Sequence, residues 1–106
     1  MNTWKSISIK GIARINKVVA EFDVYELQKT PYGKFKVKVY EQSDGSYIGY
    51  TNLQVIDSTG SYYCGVGYGS TVHDTLEDTI YYFLSMLDRE KIWNEADFMY
   101  CDPNDF

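Results

Sequence analysis

Hydrophobic positions recur every three to four residues in one stretch of the chain and every two residues in several others. Val72, Leu76, Ile80, Phe83, Leu84 and Leu87 stand at helical spacing, which gathers them on one face of a helix. Gly69 closes the run before it, and Ser70 or Thr71 can cap the first free N–H groups. Asp74, Glu77 and Asp78 fall near the positive end of the helix dipole, where carboxylates are favourable. The opposite face carries Asp74, Asp78, Tyr81, Ser85 and Asp88, an acidic stripe with one aromatic in it.

Alternation predicts the strands. Over residues 19–28, Phe22 and Val24 alternate with Glu21, Asp23 and Tyr25. Over residues 34–41, Phe35, Val37 and Val39 face one way and Lys34, Lys36, Lys38 and Tyr40 the other, the pattern of a sheet with one wet face. Residues 47–56 and 61–66 read as two more strands, the first bent near Asn52. Thr30-Pro31-Tyr32-Gly33, Asp44-Gly45 and Asp57-Ser58-Thr59-Gly60 supply the turns. The expected fold is α+β: an antiparallel meander of three to four strands with helices packed on one face. Residues 3–17 are ambiguous. Trp4, Ile7, Ile12, Ile15 and Val19 fit a helix loosely, Gly11 weakens it, and Ile7 and Ile9 alternate as in a strand; the expectation is a first helix over much of 3–17.

The chain of 106 residues is expected to form a single domain, 1–106, ending in an acidic, aromatic C-terminal arm over 88–106. Asn94 can cap a short helix starting at Glu95, and Pro103 stops any regular element. The arm is too rich in aromatics for simple disorder, so it either packs back on the domain or docks on a partner.

Charge changes the picture more than composition does. Residues 1–40 hold eight Lys/Arg against three Asp/Glu and residues 41–106 two against twelve, so the net −5 is split into +5 and −10. Such asymmetry suits an electrostatically steered partner, and the acidic balance argues against direct nucleic-acid binding. A basic set does exist, in Lys34, Lys36 and Lys38 with Lys5, Lys10, Arg14 and Lys17, and a nucleic-acid role for it is the minor alternative. Eleven Tyr suit both strands and interfaces. No apolar run has the length of a membrane span and no leader follows Met1, so a soluble, cytoplasmic protein with no membrane partner is expected. Cys64 and Cys101 are then free thiols, and with His73 they do not make a zinc site of ordinary spacing.

Catalytic motifs are weak. The Gly65-Val66-Gly67-Tyr68-Gly69-Ser70 run precedes a helix but lacks the lysine of a phosphate loop, and Asp74, Glu77 and Asp78 would repel phosphate. Its plainer meaning is a tight corner where strand and helix backbones approach closely. His73 beside Asp74 has no nucleophile at a recognisable spacing. The chain is therefore expected not to be an enzyme and to need no cofactor or metal.

Three resemblances follow. The order helix, strands, glycine corner, helix resembles the double-stranded-RNA-binding domain, but that family's basic cluster is replaced here by His73, Asp74, Glu77 and Asp78, so only the architecture carries over. Residues 35–50 and 69–78 are similar to HicB-type antitoxins, which implies a protein-binding module of a toxin–antitoxin pair. An acidic, aromatic-rich chain of this length without catalytic motifs also resembles phage-encoded anti-defence proteins, including anti-CRISPR inhibitors. That resemblance implies a non-catalytic inhibitor in the bacterial host cytoplasm that mimics nucleic acid and binds a basic nucleic-acid-handling effector, such as a CRISPR-Cas effector. The partner-binding residues are then expected to be Asp74, Asp78, Tyr81 and Asp88 on the helix and Glu95, Asp97, Asp102 and Asp105 in the arm. An open edge on a Tyr-rich sheet also allows a homodimer.

Overall fold

The computed structural model describes residues 3–106. Four strands run in order, β1 (Lys17–Tyr25), β2 (Lys34–Glu41), β3 (Tyr47–Ile56) and β4 (Tyr62–Gly69), followed by the helix α1 (Val72–Ser85) and a short strand β5 (Phe98–Tyr100). Single 3-10 turns occupy Trp4–Ser6 and Glu95–Asp97. The sheet is an antiparallel meander β1-β2-β3-β4, and β5 pairs with β3. The α+β class and the meander are therefore as the sequence predicts.

The turns form for the reasons their residues suggest. Gly33, Gly45 and Gly60 adopt φ of 73°, 88° and 88°, backbone that a side chain would strain. The Asp44 carboxylate accepts the Ser46 N–H at 2.9 Å, and the Asp57 carboxylate accepts those of Thr59 and Ser61 at 2.8 and 3.1 Å.

The expected helix over 3–17 does not form. Gly11 sits at φ 92° in a turn closed by the Ile12 N–H on the Ile9 carbonyl at 3.0 Å, and Ile7, Ile9 and Ile12 stay half exposed or more. A helix here would place Gly in its middle and cover no apolar stripe, so nothing offsets its nucleation cost. Among the described residues one α-helix, not two, covers the sheet.

That helix packs unusually close. Its most buried residues are Thr75, Thr79 and Phe83, while the predicted Val72, Leu76, Ile80 and Leu84 lie on its flanks, partly buried. The reason is in the strands beneath: Gly49 on β3 and Gly65, Gly67 and Gly69 on β4 all face α1, leaving no side chain between the backbones. The glycine run is thus not a corner; it is the last part of β4, with alternate glycines turned to the helix. The close approach read from the sequence holds. Each buried threonine hydroxyl is satisfied locally: Thr75 donates to Thr71 O at 2.7 Å and Thr79 to Thr75 O at 2.6 Å. Phe35, Val37 and Val39 of β2, Leu53 and Val55 of β3, and Phe83, Leu87 and Phe98 complete the core, with the Phe35 and Phe83 rings 5.1 Å apart.

The bend expected near Asn52 is a bulge. Tyr50 pairs with Val66, yet Gln54 pairs with Cys64, so β3 carries two extra residues there. The Thr51 hydroxyl closes the gap, accepting from Gly65 N and donating to Leu53 O, both at 2.7 Å. β2 diverges from β3 beyond the bulge, and β5 takes its place. Asn52 stands at the fork: its side-chain oxygen accepts from Lys36 N at 2.7 Å and its carbonyl from Cys101 N at 2.8 Å.

Candidate docking surface on the helix

The exposed face of α1 follows from its cap and its neighbour strand. The Thr71 side chain accepts from Asp74 N at 3.0 Å and fixes the first turn. From there Asp74, Glu77, Asp78 and Tyr81 point away from the sheet, and all four are exposed. Asp78 also reaches down, accepting the Tyr68 N–H of β4 at 2.9 Å. This ties the helix to the open sheet edge through the Tyr68 backbone. Tyr68, Asp74, Glu77, Asp78 and Tyr81 line one shallow depression of about 420 Å³. Tyr68 is 63% exposed and Tyr81 76%. Among the described residues the ion-pair partner of Glu77 is His73, 3.9 Å away and similarly exposed, a contact that contributes little.

The remaining predicted site residues lie elsewhere. Asp88 is engaged by Lys29 at 2.8 Å. Asp97 is buried: it accepts from Asn94 N at 3.0 Å in a capping box and from Lys91 at 3.1 Å. The Asn94 N–H bond, aided by Lys91 and outweighing partial desolvation, holds the Asp97 carboxyl below the usual carboxylate range. Glu95 is exposed on the 3-10 turn that Asn94 caps. Asp102 and Asp105 border a depression with Tyr50, Cys64, Met99 and Phe106, on the sheet face opposite α1. The helix acids and the arm acids therefore do not form one surface. Glu77 joins the helix cluster instead, and Tyr68 reaches it through its backbone N–H.

The C-terminal arm lies against the domain. Trp93 Nε1 donates to Leu87 O at 3.0 Å, Tyr62 OH to Ala96 O at 2.8 Å, and Tyr100 OH to Lys34 O at 2.6 Å, while Tyr32 stacks on Tyr100 at 5.1 Å. Three of the eleven tyrosines, Tyr32, Tyr62 and Tyr100, are thus used to hold the arm. Beyond β5 the arm crosses the wet face of the sheet, where Lys38 donates to the Phe106 backbone oxygen at 2.6 Å and sits 4.5 Å from its ring centre. Between arm and β2 runs an open cleft of about 520 Å³ lined by Lys34, Lys36, Lys38, Asn52, Tyr100 and Phe106 among others.

The lysine row does not offer free charge. Lys34 pairs with Asp23 at 3.6 Å, Lys36 with Glu21 and Asp23 at 3.6 and 3.8 Å, and Lys38 with Glu21 at 3.8 Å. These are the cross-strand neighbours set by the β1–β2 register. Burial pushes the Cys64 thiol up, and burial with nearby Asp105 and Asp102 does the same for Cys101, so neither is primed as a nucleophile. Among the described residues no three of His, Cys, Asp and Glu converge as metal ligands would, and no helix is long and apolar enough to cross a membrane.

Compared with protein-family profiles, with curated proteins and with solved structures, the chain matches none.

Proposed function

We propose that this protein is a non-catalytic inhibitor that lays the acidic, tyrosine-bearing face of α1 on a basic nucleic-acid-handling protein, in the place nucleic acid would occupy; CRISPR-Cas effectors are targets of this class. One observation carries the reading. Asp74, Glu77 and Asp78 surround a depression flanked by Tyr68 and Tyr81, with no Lys or Arg lining it. Of the acids elsewhere, Glu21, Asp23, Glu41, Asp88 and Asp97 are paired with lysines. Carboxylates on such a face set the rate of encounter and the choice of partner, while the exposed Tyr81 ring, once buried, supplies affinity. Arg or Lys of the target would meet the carboxylates and stack on Tyr81, gaining cation–π contact as well as charge.

The test is affinity capture from a bacterial lysate at about 50 mM and about 300 mM salt, since exposed charge pairs are screened over this range. The wild-type protein is expected to retain a basic nucleic-acid-binding protein at the lower salt and release it at the higher. The Asp74→Lys, Glu77→Lys double variant is expected to retain none. Equal retention by that variant would refute the reading.

A further inference from the structure

The sheet ends at β1, and among the described residues nothing pairs with its outer edge. One row of its N–H and C=O groups is thus free, a template for another strand. The segment leading into β1 has the same character. Residues 5–14 are exposed throughout, and residues 13–16 make no backbone hydrogen bond among the described residues. The radius of gyration is 15.6 Å, against about 13 Å for a compact domain of this size. The segment is basic, and Lys10, Arg14 and Lys17 have no ion-pair partner among the described residues. β1 itself presents Glu21 and Asp23 on one face. On the other, Ala20, Phe22 and Val24 are only half covered, because α1 lies over β4 and β3 and reaches no further than β2 in substance.

We propose that a second copy of this chain pairs antiparallel along this edge, residues 12–17 of each copy lying against residues 20–25 of the other. The bulge between Val18 and Ala20 is what permits it. In an unbroken strand, residues nine apart point to opposite faces; the extra residue at the bulge returns Arg14 and Asp23 to the same face. With residues 12–16 extended as a continuation of β1, Arg14 then faces Asp23 of the partner copy, Ile15 faces its Phe22, and Ala13 its Val24. The two-fold axis repeats each contact. On the wet face Arg14 joins the weak, exposed Asp23–Lys34–Lys36 cluster, and apolar side chains meet where α1 leaves the sheet bare. A single-stranded nucleic acid fits the segment less well, since a stacking platform needs aromatics where this one offers isoleucines. The edge lies at the far end of the sheet from the acidic face of α1, so self-pairing and target binding stand or fall separately.

Sedimentation equilibrium of the full chain, from about 5 µM to about 500 µM, is expected to show a monomer–dimer equilibrium. Arg14→Glu should weaken it about tenfold, since two exposed pairs turn repulsive, and Ile15→Lys should abolish it, with circular dichroism unchanged for both exposed or half-exposed positions. The Ala13→Cys, Val24→Cys variant is expected to oxidise to a covalent dimer; in one extended chain these residues stand about 36 Å apart and cannot bridge. A monomer at every concentration, a dimer indifferent to both substitutions, or an RNA gel shift lost in Arg14→Glu without any self-association would each overturn the proposal.

Discussion

Replacing Gly67 with Ala tests how the helix is held. A Cβ at Gly67 would run into the backbone N and the hydroxyl of Thr79 and stand 2.6 Å from the Thr79 Cα, about 0.8 Å inside the 3.4 Å of an ordinary contact. The obstacle is helix backbone, so α1 must retreat from β4 along the line of its tightest contact. Overpacking of this kind costs about 1–3 kcal/mol, and lifting the helix also loosens Phe83, so the upper part of that range applies. Removing Gly from a strand returns only about 0.5–1 kcal/mol. The expected net loss is about 2 kcal/mol in urea unfolding, with the midpoint lowered and the slope unchanged. Gly49→Ala is the control. Its Cβ would meet the Thr79 hydroxyl, but the next atoms, Thr79 Cβ and Thr75 Cγ2, stand at 3.3 Å. Thr79→Ala should therefore rescue most of the Gly49→Ala loss and little of the Gly67→Ala loss. Gly67→Ala at wild-type stability, or equal rescue of both, would refute the close backbone packing on which the fold rests.

Asn52→Ala leaves Lys36 N without its acceptor at the β2–β5 fork and should cost about 1–2 kcal/mol, with amide exchange faster over residues 98–101 than elsewhere. Partial burial raises the Glu26 carboxyl, but the N–H groups of Lys29, Thr30 and Gln28 outweigh it and hold it below the usual range. Its stabilising contribution is thus complete above the unfolded carboxylate value near pH 4.5 and is lost as pH falls through the lower folded value. Glu26→Gln should flatten the acid limb of a stability–pH curve. Both thiols are raised, so at pH 8 Cys64 and Cys101 should react with iodoacetamide well below the rate of free cysteine, and a rate equal to it would contradict their burial.

The sequence made some elements plain. Strict alternation over 34–41 and the Asp-Gly turn placed β2 and the start of β3, and a cap at Ser70 or Thr71 placed the start of α1. The helix face was read a step aside. The apolar pattern pointed to Leu76 and Ile80, whereas the ridge that enters the sheet is Thr75, Thr79 and Phe83; small residues there answer glycines that lie tens of positions earlier in the chain. No local pattern shows that pairing. Residues 3–17 misled for a related reason: their isoleucines satisfy helical spacing but have no intrachain surface to cover. In the candidate site, Asp74, Asp78 and Tyr81 were legible from periodicity on one helix. Whether acids from the arm would join them depended on β5 pairing beside β3 and carrying Asp102 and Asp105 to the other face, a long-range register that composition does not encode.

The central claim is that the acidic face of α1 displaces nucleic acid from a basic partner. It is tested most directly by fluorescence anisotropy of a labelled RNA bound to the protein recovered by low-salt capture. The account predicts that the wild-type chain releases the RNA in proportion to its concentration, reaching completion near one equivalent, and that the Asp74→Lys, Glu77→Lys variant releases none. A complex that forms with full affinity while the RNA stays bound would contradict it.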